Sequence, residues 1–125
     1  MTTPENRPAL ETLTERLIAF RDARDWRQFH SLKELIVSLN LEASELLELT
    51  QWKSSEAVEQ MANSADNKRR LEEECADILL YLLLVAERAD IDLVEAAEEK
   101  IALNEQKYPV EKARGNATKY SDFGD

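Results

Sequence analysis

The chain has few residues that interrupt helices or cross-link segments. Glycine and proline contribute two and three of its 125 residues, so the interior has few positions at which a helix must end. Its one cysteine, Cys75, excludes an internal disulfide and a cysteine-based zinc site, and we expect it to be a buried helix residue. The longest apolar run, residues 78–86, is far shorter than the roughly 20 residues of a membrane span. We therefore expect no membrane partner.

A basic surplus is also missing. Sixteen lysines and arginines stand against 26 acidic residues, for a net charge of −10, which argues against a nucleic-acid polymer as the main partner. An acidic protein binds a polyphosphate when divalent cations neutralise both sides. Met1 is followed by the polar segment TTPENRP without an apolar signal region, and we expect a cytoplasmic location.

The apolar residues that are present recur at helical spacing. We predict helices over about 9–24, from the Ser31 capping box to about Lys53, over about 68–89 and over about 92–107, with a short helix near 56–61. Pro109 ends the last of these helices. We divide the chain into a flexible N-terminus (1–8), one helical domain (9–108) and an extended tail (109–125) that packs on a neighbouring subunit.

Four main helices with short connections predict an all-α fold, a four-helix bundle subunit. The helix over about 68–89 is apolar around its whole circumference from Ile78 to Ala86. A helix of that kind is covered on all sides, which three neighbours in a small chain hardly achieve. We therefore expect self-association.

Most of the acidic residues should be solvated, but four have unusual positions. On the second main helix Glu42 lies inside the arc of apolar residues and Glu45 lies at its edge. Glu74 and Asp77 repeat this i, i+3 arrangement on the next one. Two such pairs that face each other would form a cage of oxygen ligands suited to Mg²⁺, with Mn²⁺ as a substitute.

Two other interpretations of these acids are open. Lysine or arginine partners would neutralise them in an ordinary core. A di-iron carboxylate site is disfavoured because it requires Glu-x-x-His motifs, and the single histidine, His30, lies in a loop.

The last main helix has inward-facing polar residues. Lys100 and Asn104 fall within its apolar arc and could hold a metal-bound phosphate, although Lys100 could equally pair with an acid. The tail beyond it is locally basic, which suits a polyphosphate or an acidic neighbour. Trp26 and Trp52 flank the helix that carries Glu42, where they could stack on a nucleobase or simply pack against the bundle end.

The acidic pattern, EASE at 42–45 followed by ECAD at 74–77, resembles the E-x-x-E…E-x-x-D pattern of the MazG-like all-α nucleotide pyrophosphohydrolases. The resemblance extends to the dCTP pyrophosphatase branch of that superfamily. It is carried by RDWRQFH at 24–30, LLELTQWK at 46–53, EECADILLYL at 73–82, KIALNEQKYP at 100–109 and KARGNATKY at 112–120.

The resemblance implies a helical subunit assembled as a dimer or a dimer of dimers. It also implies hydrolysis of a nucleoside triphosphate, dCTP or a modified dCTP, to the monophosphate and pyrophosphate, which would remove unwanted nucleotides. The implied metal ligands and catalytic residues are Glu42, Glu45, Glu74 and Asp77. The implied substrate contacts are Trp26, His30, Trp52, Tyr81, Lys100, Asn104 and Tyr108.

The chemistry that we expect is metal-assisted attack of water on the α-phosphorus, with one carboxylate, Glu45 at the edge being a candidate, orienting or deprotonating that water. Two alternatives remain. The same fold could act on another nucleotide, such as dUTP or a phosphoribosyl-ATP-type diphosphate. The chain could instead be a non-enzymatic helical interaction protein whose acids are merely paired.

Overall fold

The computed structural model describes residues 9–124, and all regular structure in that range is helical. The helices are α1 (Ala9–Ala23), α2 (Leu32–Glu48), α3 (Ser55–Met61), α4 (Ala65–Ala89), α5 (Leu93–Lys107) and α6 (Val110–Ala113). Short 3₁₀ helices cover Arg27–Phe29 and Tyr120–Asp122. The predicted all-α class is confirmed. None of the helices within 9–124 combines the length and apolar character that crossing a membrane requires.

Three helices begin at side-chain caps. Ser31, Ser54 and Asp92 each accept a hydrogen bond from the backbone N–H three residues further along, at 3.0–3.1 Å. Each bond satisfies a donor that the first helical turn leaves unpaired. The caps explain why α2, α3 and α5 begin where polar residues precede an apolar period, as predicted for Ser31.

Helix α2 ends earlier than predicted, at Glu48 and not near Lys53. The hydroxyl of Thr50 donates to a carbonyl of the last turn at 2.7 Å, and the ammonium of Lys53 donates to the carbonyl of the capping residue at 2.9 Å. Trp52 has a φ of 63°, which is outside the right-handed helical region. Side-chain hydrogen bonds and one left-handed residue therefore replace the last predicted turn.

The chain forms two compact units, one up to Asp90 and one from Ile91. In the first unit α4 packs mainly against α2 and also contacts α1. Among residues 9–124, the buried apolar side chains all belong to this unit: Leu35, Leu49, Met61, Leu83, Leu84 and Ala86. The division at Asp90 coincides with a left-handed residue, φ 55°, that ends α4.

The apolar stretch of α4 is partly covered within one chain. Leu83, Leu84 and Ala86 are buried, whereas Ile78 to Leu82 and Val85 are half-buried. Burial of Leu83 and Leu84 therefore requires no second subunit. The predicted oligomer remains a prediction.

Cys75 is exposed, so the prediction of a buried cysteine was wrong. Its neighbour Glu74 is half-buried. Adjacent residues of an α-helix point about 100° apart, so the side chain that follows Glu74 turns away from that face.

One buried cation went unrecognised in the sequence. Arg21 is only 4% exposed, and its guanidinium donates to Asp22 at 2.9 Å and to Glu87 at 3.0 Å. These carboxylates raise the pKa of Arg21, the hydrogen bond to Asp22 most of all. The sequence does contain a signal for this burial, because Arg21 lies about 20° from the apolar Leu10 on a helical wheel. The pair with Glu87 ties α1 to α4.

In the second unit the tail is not extended, as it was predicted to be. It contains α6 and a 3₁₀ turn, and Gly115 adopts a φ of 76° between them. The side chain of Asn116 donates to the carbonyl of Lys112 and accepts from the N–H of Thr118, both at 3.0 Å. These bonds reverse the chain, which glycine permits without a steric penalty. Packing of the tail on a neighbouring subunit stays a prediction.

Candidate metal centre

Two adjacent helices carry the four predicted acids. Glu42 and Glu45 lie on α2, Glu74 and Asp77 lie on α4, and α2 with α4 is the most extensive helix pair of the fold. Glu42 and Glu74 are half-buried, and Glu45 and Asp77 are exposed. This is the arrangement that helical geometry predicts for one acid inside each apolar arc and one on its flank.

The packing brings three of the four carboxylates together. One oxygen each from Glu42, Glu45 and Glu74 lies within 4.8 Å of the other two. Asp77 is outside this compact group, yet its negative charge raises the pKa of both Glu42 and Glu74. It therefore belongs to the same electrostatic environment.

Two oxygens of the cluster lack partners. The Oε2 atoms of Glu42 and Glu74 are buried without a hydrogen bond. Burying a carboxylate oxygen without a partner is costly, and an uncompensated site of this kind calls for an explanation such as a bound ion. Hard oxygen donors are the ligands that Mg²⁺ and similar divalent cations prefer.

Within the described residues, no cationic side chain neutralises the cluster. Among residues 9–124, no lysine or arginine forms an ion pair with Glu42, Glu45, Glu74 or Asp77. The ion pairs found in that range join Arg21 to Asp22 and Glu87. The interpretation of the acids as ordinary core ion pairs therefore has no support in the described structure.

Two glutamates of the cluster have raised pKa values. The pKa of Glu42 is raised from 4.5 to about 7, mainly by burial and then by the hydrogen bond with Glu45 and the negative charges of Glu45, Asp77 and Glu74. The pKa of Glu74 is also raised, first by burial and next by the hydrogen bond and negative charge of Glu45. Like charges held close together disfavour ionisation, and a divalent cation would reverse that effect.

Trp52 has an unusual combination of exposure and backbone conformation. Its side chain is 100% exposed, and its φ of 63° lies in the left-handed region that bulky residues rarely adopt. Both features cost free energy, and such outliers concentrate at functional sites. The fold gives this indole no packing role within the described chain.

The other three predicted pocket residues also lie in the first unit. Trp26 is 44% exposed and packs edge-on against Phe20, with ring centroids 5.6 Å apart. His30 is half-buried, and its Nδ1 is buried without a hydrogen-bond partner. Tyr81 is half-buried on α4, one helical turn after Asp77. Their contact with a substrate remains a prediction.

The remaining predicted contacts lie in the second unit. Lys100 is exposed and Asn104 half-buried on α5. Tyr108 caps the C-terminus of α5, and its ring packs edge-on against Tyr120 at 6.0 Å and Phe123 at 5.8 Å. The ring of Tyr108 thus anchors the tail, a role that the sequence did not reveal. Phosphate contacts by these three residues remain a prediction.

Comparison with known proteins relates this geometry to a family. The MazG-like family model matches residues 37–123, which include both acid pairs. The chain belongs to the MazG-like family. Among its relatives is dCTP pyrophosphatase 1 of Mus musculus, 40% identical over 116 residues that cover 93% of this chain and 68% of the relative. The Homo sapiens protein of the same name is 36% identical over 116 residues, which again cover 93% of this chain and 68% of the relative.

A solved structure supports the same assignment. A pyrophosphatase from Archaeoglobus fulgidus DSM 4304 superimposes with a TM-score of 0.77 at 38% identity, covering 86% of this chain and 99% of that one. The MazG-like fold predicted from the acid motifs is thereby confirmed. In this MazG-like chain the three clustered glutamates, with their unpartnered buried oxygens, form a site that suits a divalent metal ion.

Proposed function

We propose that this chain is a Mg²⁺-dependent nucleotide pyrophosphohydrolase that converts dCTP, or a modified dCTP, to the monophosphate and pyrophosphate. The relatives named dCTP pyrophosphatase support the reaction and the substrate. The single structural observation that carries the proposal is the pair of buried, unpartnered Oε2 atoms of Glu42 and Glu74 beside Glu45.

The four acids have distinct tasks in this proposal. Glu42 and Glu74 would hold the metal ion with their inward oxygens, and Glu45 and Asp77 would complete its ligands from the exposed side. When bound, the ion polarises the phosphoryl oxygens, lowers the pKa of a water and offsets charge on the leaving pyrophosphate. Mn²⁺ has similar oxygen preferences and is the expected substitute.

Glu45 is the candidate for the proton transfer, in which case its carboxylate would serve the attacking water instead of the metal ion. It is exposed and close to both half-buried glutamates, so it can contact a water in front of the cluster. As water oxygen bonds to the α-phosphorus, Glu45 accepts the water proton. The bond from the α-phosphorus to the bridging oxygen breaks, and pyrophosphate leaves with that oxygen.

The base pocket rests on the first unit. The exposed indole of Trp52 and the part-exposed indole of Trp26 would stack on the base, since an aromatic ring binds any base through its π-face. Tyr81 would add a third ring, and the unpartnered Nδ1 of His30 would bond to a base edge. For Lys100, Asn104 and Tyr108, the proposed phosphate contact rests on the sequence pattern.

A nucleotide panel tests the reaction. Pyrophosphate release is measured with dCTP, methylated dCTP, dUTP and other nucleoside triphosphates, with and without Mg²⁺. We expect Mg²⁺-dependent release with a preference for cytosine nucleotides. A preference for dUTP, or for a phosphoribosyl-ATP-type diphosphate, would keep the chemistry and change the substrate.

His30 gives a sharper test of base recognition. His30→Gln should change the ranking of bases in that panel by more than it changes the Mg²⁺ concentration needed for half-maximal rate. An unaltered ranking would remove His30 from the pocket.

Absence of both turnover and divalent-ion binding would instead favour a helical interaction protein.

We also propose that the chain self-associates. Three apolar side chains on α2, Leu32, Ile36 and Leu47, are 39%, 50% and 65% exposed, and they lie about 60–120° around the helix from the buried Leu35. Exposed apolar side chains that share one side of a helix are typical of a protein interface. A dimer or a dimer of dimers would cover them.

A further inference from the structure

A shallow groove in the second unit is lined by residues that the proposed reaction does not use. It has a volume of about 440 Å³, within the usual range of small-molecule sites. Its lining combines apolar, amide, cationic and aromatic side chains: Leu103, Gln106, Lys107, Lys112, Tyr120 and Phe123. Pro109 completes the wall where α5 ends.

The groove is built by specific contacts. Tyr108 packs edge-on against two rings of the tail, Tyr120 at 6.0 Å and Phe123 at 5.8 Å. Edge-to-face ring pairs in this distance range are favourable beyond the area that they bury. The side chain of Asn116 holds the preceding reversal through the carbonyl of Lys112 at 3.0 Å. The aromatic wall and Lys112 are therefore held by separate interactions.

The cations around the groove are unpaired. The Lys107 ammonium lies 5.0 Å from the centroid of the Tyr120 ring, a cation–π arrangement. Within the described part of the chain, Lys107, Lys112, Arg114 and Lys119 form no ion pair with any carboxylate. The same is true of every lysine in residues 9–124, so the groove is distinguished by having two such ammonium groups beside aromatic rings. Cations kept apart from carboxylates suit a ligand that brings its own negative charge.

We propose that this groove binds a nucleoside phosphate. Lys107 and Lys112 contact the phosphate oxygens, the exposed part of the Tyr120 ring contacts the base, and Gln106 offers an amide to the base edge. A ligand with phosphates alone would leave the aromatic wall unused, and an apolar ligand would leave two ammonium groups without a counter-charge. A nucleoside phosphate satisfies both parts of the lining.

The test uses the full-length chain, labelled with ¹⁵N, and backbone amide shifts measured in EDTA so that no divalent ion is present. With dCTP as probe, we expect saturable shifts at Gln106, Lys107, Lys112 and Tyr120. Lys107→Gln and Lys112→Gln should each raise the Kd from these shifts about tenfold, the usual loss of one charge-assisted hydrogen bond. Lys33→Gln and Lys68→Gln remove the same charge on other helices and should leave the Kd unchanged.

A second probe, inorganic tripolyphosphate, separates phosphate from base. Its shifts should centre on Lys107 and Lys112 and be smaller at Tyr120, and its Kd should be at least about tenfold higher, since base stacking is lost. Equal affinity for the two probes would overturn the nucleoside part of the proposal. Absence of shifts in the groove, or shifts that the lysine variants do not weaken, would overturn all of it.

A second copy of the chain is the competing occupant. Shifts at the groove that grow with protein concentration in the absence of nucleotide, and that nucleotide does not displace, would replace the proposal with a subunit contact. Turnover of dCTP with Mg²⁺ is assayed separately on the same preparations. Failure of that assay with the groove shifts intact would count against the proposed function and not against this site.

Discussion

Glu42 on α2 and Glu74 on α4 bring carboxylate oxygens to within 4.8 Å of each other, and each buries an Oε2 that has no hydrogen-bond partner. Two like charges across a helix–helix contact destabilise the metal-free protein. A divalent cation bound between them would remove this repulsion and stabilise the folded protein. The predictions below depend mainly on this pair.

Removing one ligand oxygen should stop turnover without unfolding the chain. Glu42→Gln, Glu74→Gln and Asp77→Asn keep shape and remove a charge. Their pyrophosphate release in limiting Mg²⁺ should fall by more than about 100-fold, since even the outer partners of metal ligands cost 10–100-fold. Circular dichroism should show unchanged helix content.

Matched controls lie on the same helices. Glu48→Gln on α2 and Glu72→Gln on α4 change exposed acids outside the cluster and should retain wild-type rates. Near-normal hydrolysis by the Glu42 and Asp77 variants would refute the carboxylate site.

Stability without metal should decrease as the pH rises. The pKa of Glu42 is raised from 4.5 to about 7, so between these values the folded chain holds a proton that the unfolded chain has lost. The resulting stabilisation is complete below pH 4.5 and disappears as the pH rises through about 7. Melting temperatures in EDTA should follow that course.

Mg²⁺ should oppose this loss, because the ion binds the deprotonated site and its affinity should increase up to about pH 7. Glu42→Gln should flatten the metal-free slope across this window, whereas Glu48→Gln should preserve it. A slope identical in wild type and Glu42→Gln would assign the pH dependence to other groups.

Replacing either tryptophan by alanine should weaken nucleotide binding to a similar extent, but only one of the two replacements should lower the melting temperature. Trp52→Ala and Trp26→Ala should each weaken nucleotide binding by about 1–3 kcal/mol, the usual value of an aromatic–base stack. Trp52→Ala should leave the melting temperature nearly unchanged, because that side chain is 100% exposed. Trp26→Ala should lower it, because the edge-on contact with Phe20 is lost.

Intrinsic fluorescence is a simple measurement for this prediction, since these are the only two tryptophans of the chain. Emission should respond to dCTP with Ca²⁺ in place of the catalytic ion. An emission spectrum that saturating nucleotide leaves unaltered would show that neither indole contacts the base.

Assembly should depend on the exposed apolar side chains of α2. Light scattering should show at least a dimer at micromolar concentration. Ile36→Asp with Leu47→Asp should shift it to the monomer, because both side chains are half or more exposed and a buried charge at an interface is costly. Lys33→Asp, an exposed position on the same helix, is the control. A monomeric wild type would overturn this proposal.

Sequence periodicity predicted the helices well but not all of their ends. The positions of the apolar residues and of Ser31 are local information, and they placed α2 at its correct start. Its end depends on the side-chain hydrogen bonds of Thr50 and Lys53 and on the left-handed conformation of Trp52. These features arise only once the chain has turned. Similarly, Arg21 finds Glu87 66 residues away, a partner that no local pattern indicates.

By itself, the sequence determined the all-α class and the family, and it singled out four candidate acids, because helical spacing and an ordered set of motifs are properties of the linear chain. Only the tertiary structure decided that three of those carboxylates come within 4.8 Å while Asp77 acts from outside the group. It also decided that Cys75 is exposed and that the tail folds back onto Tyr108. Distances and burial arise from packing between segments far apart in sequence, and a helical wheel describes only one segment at a time.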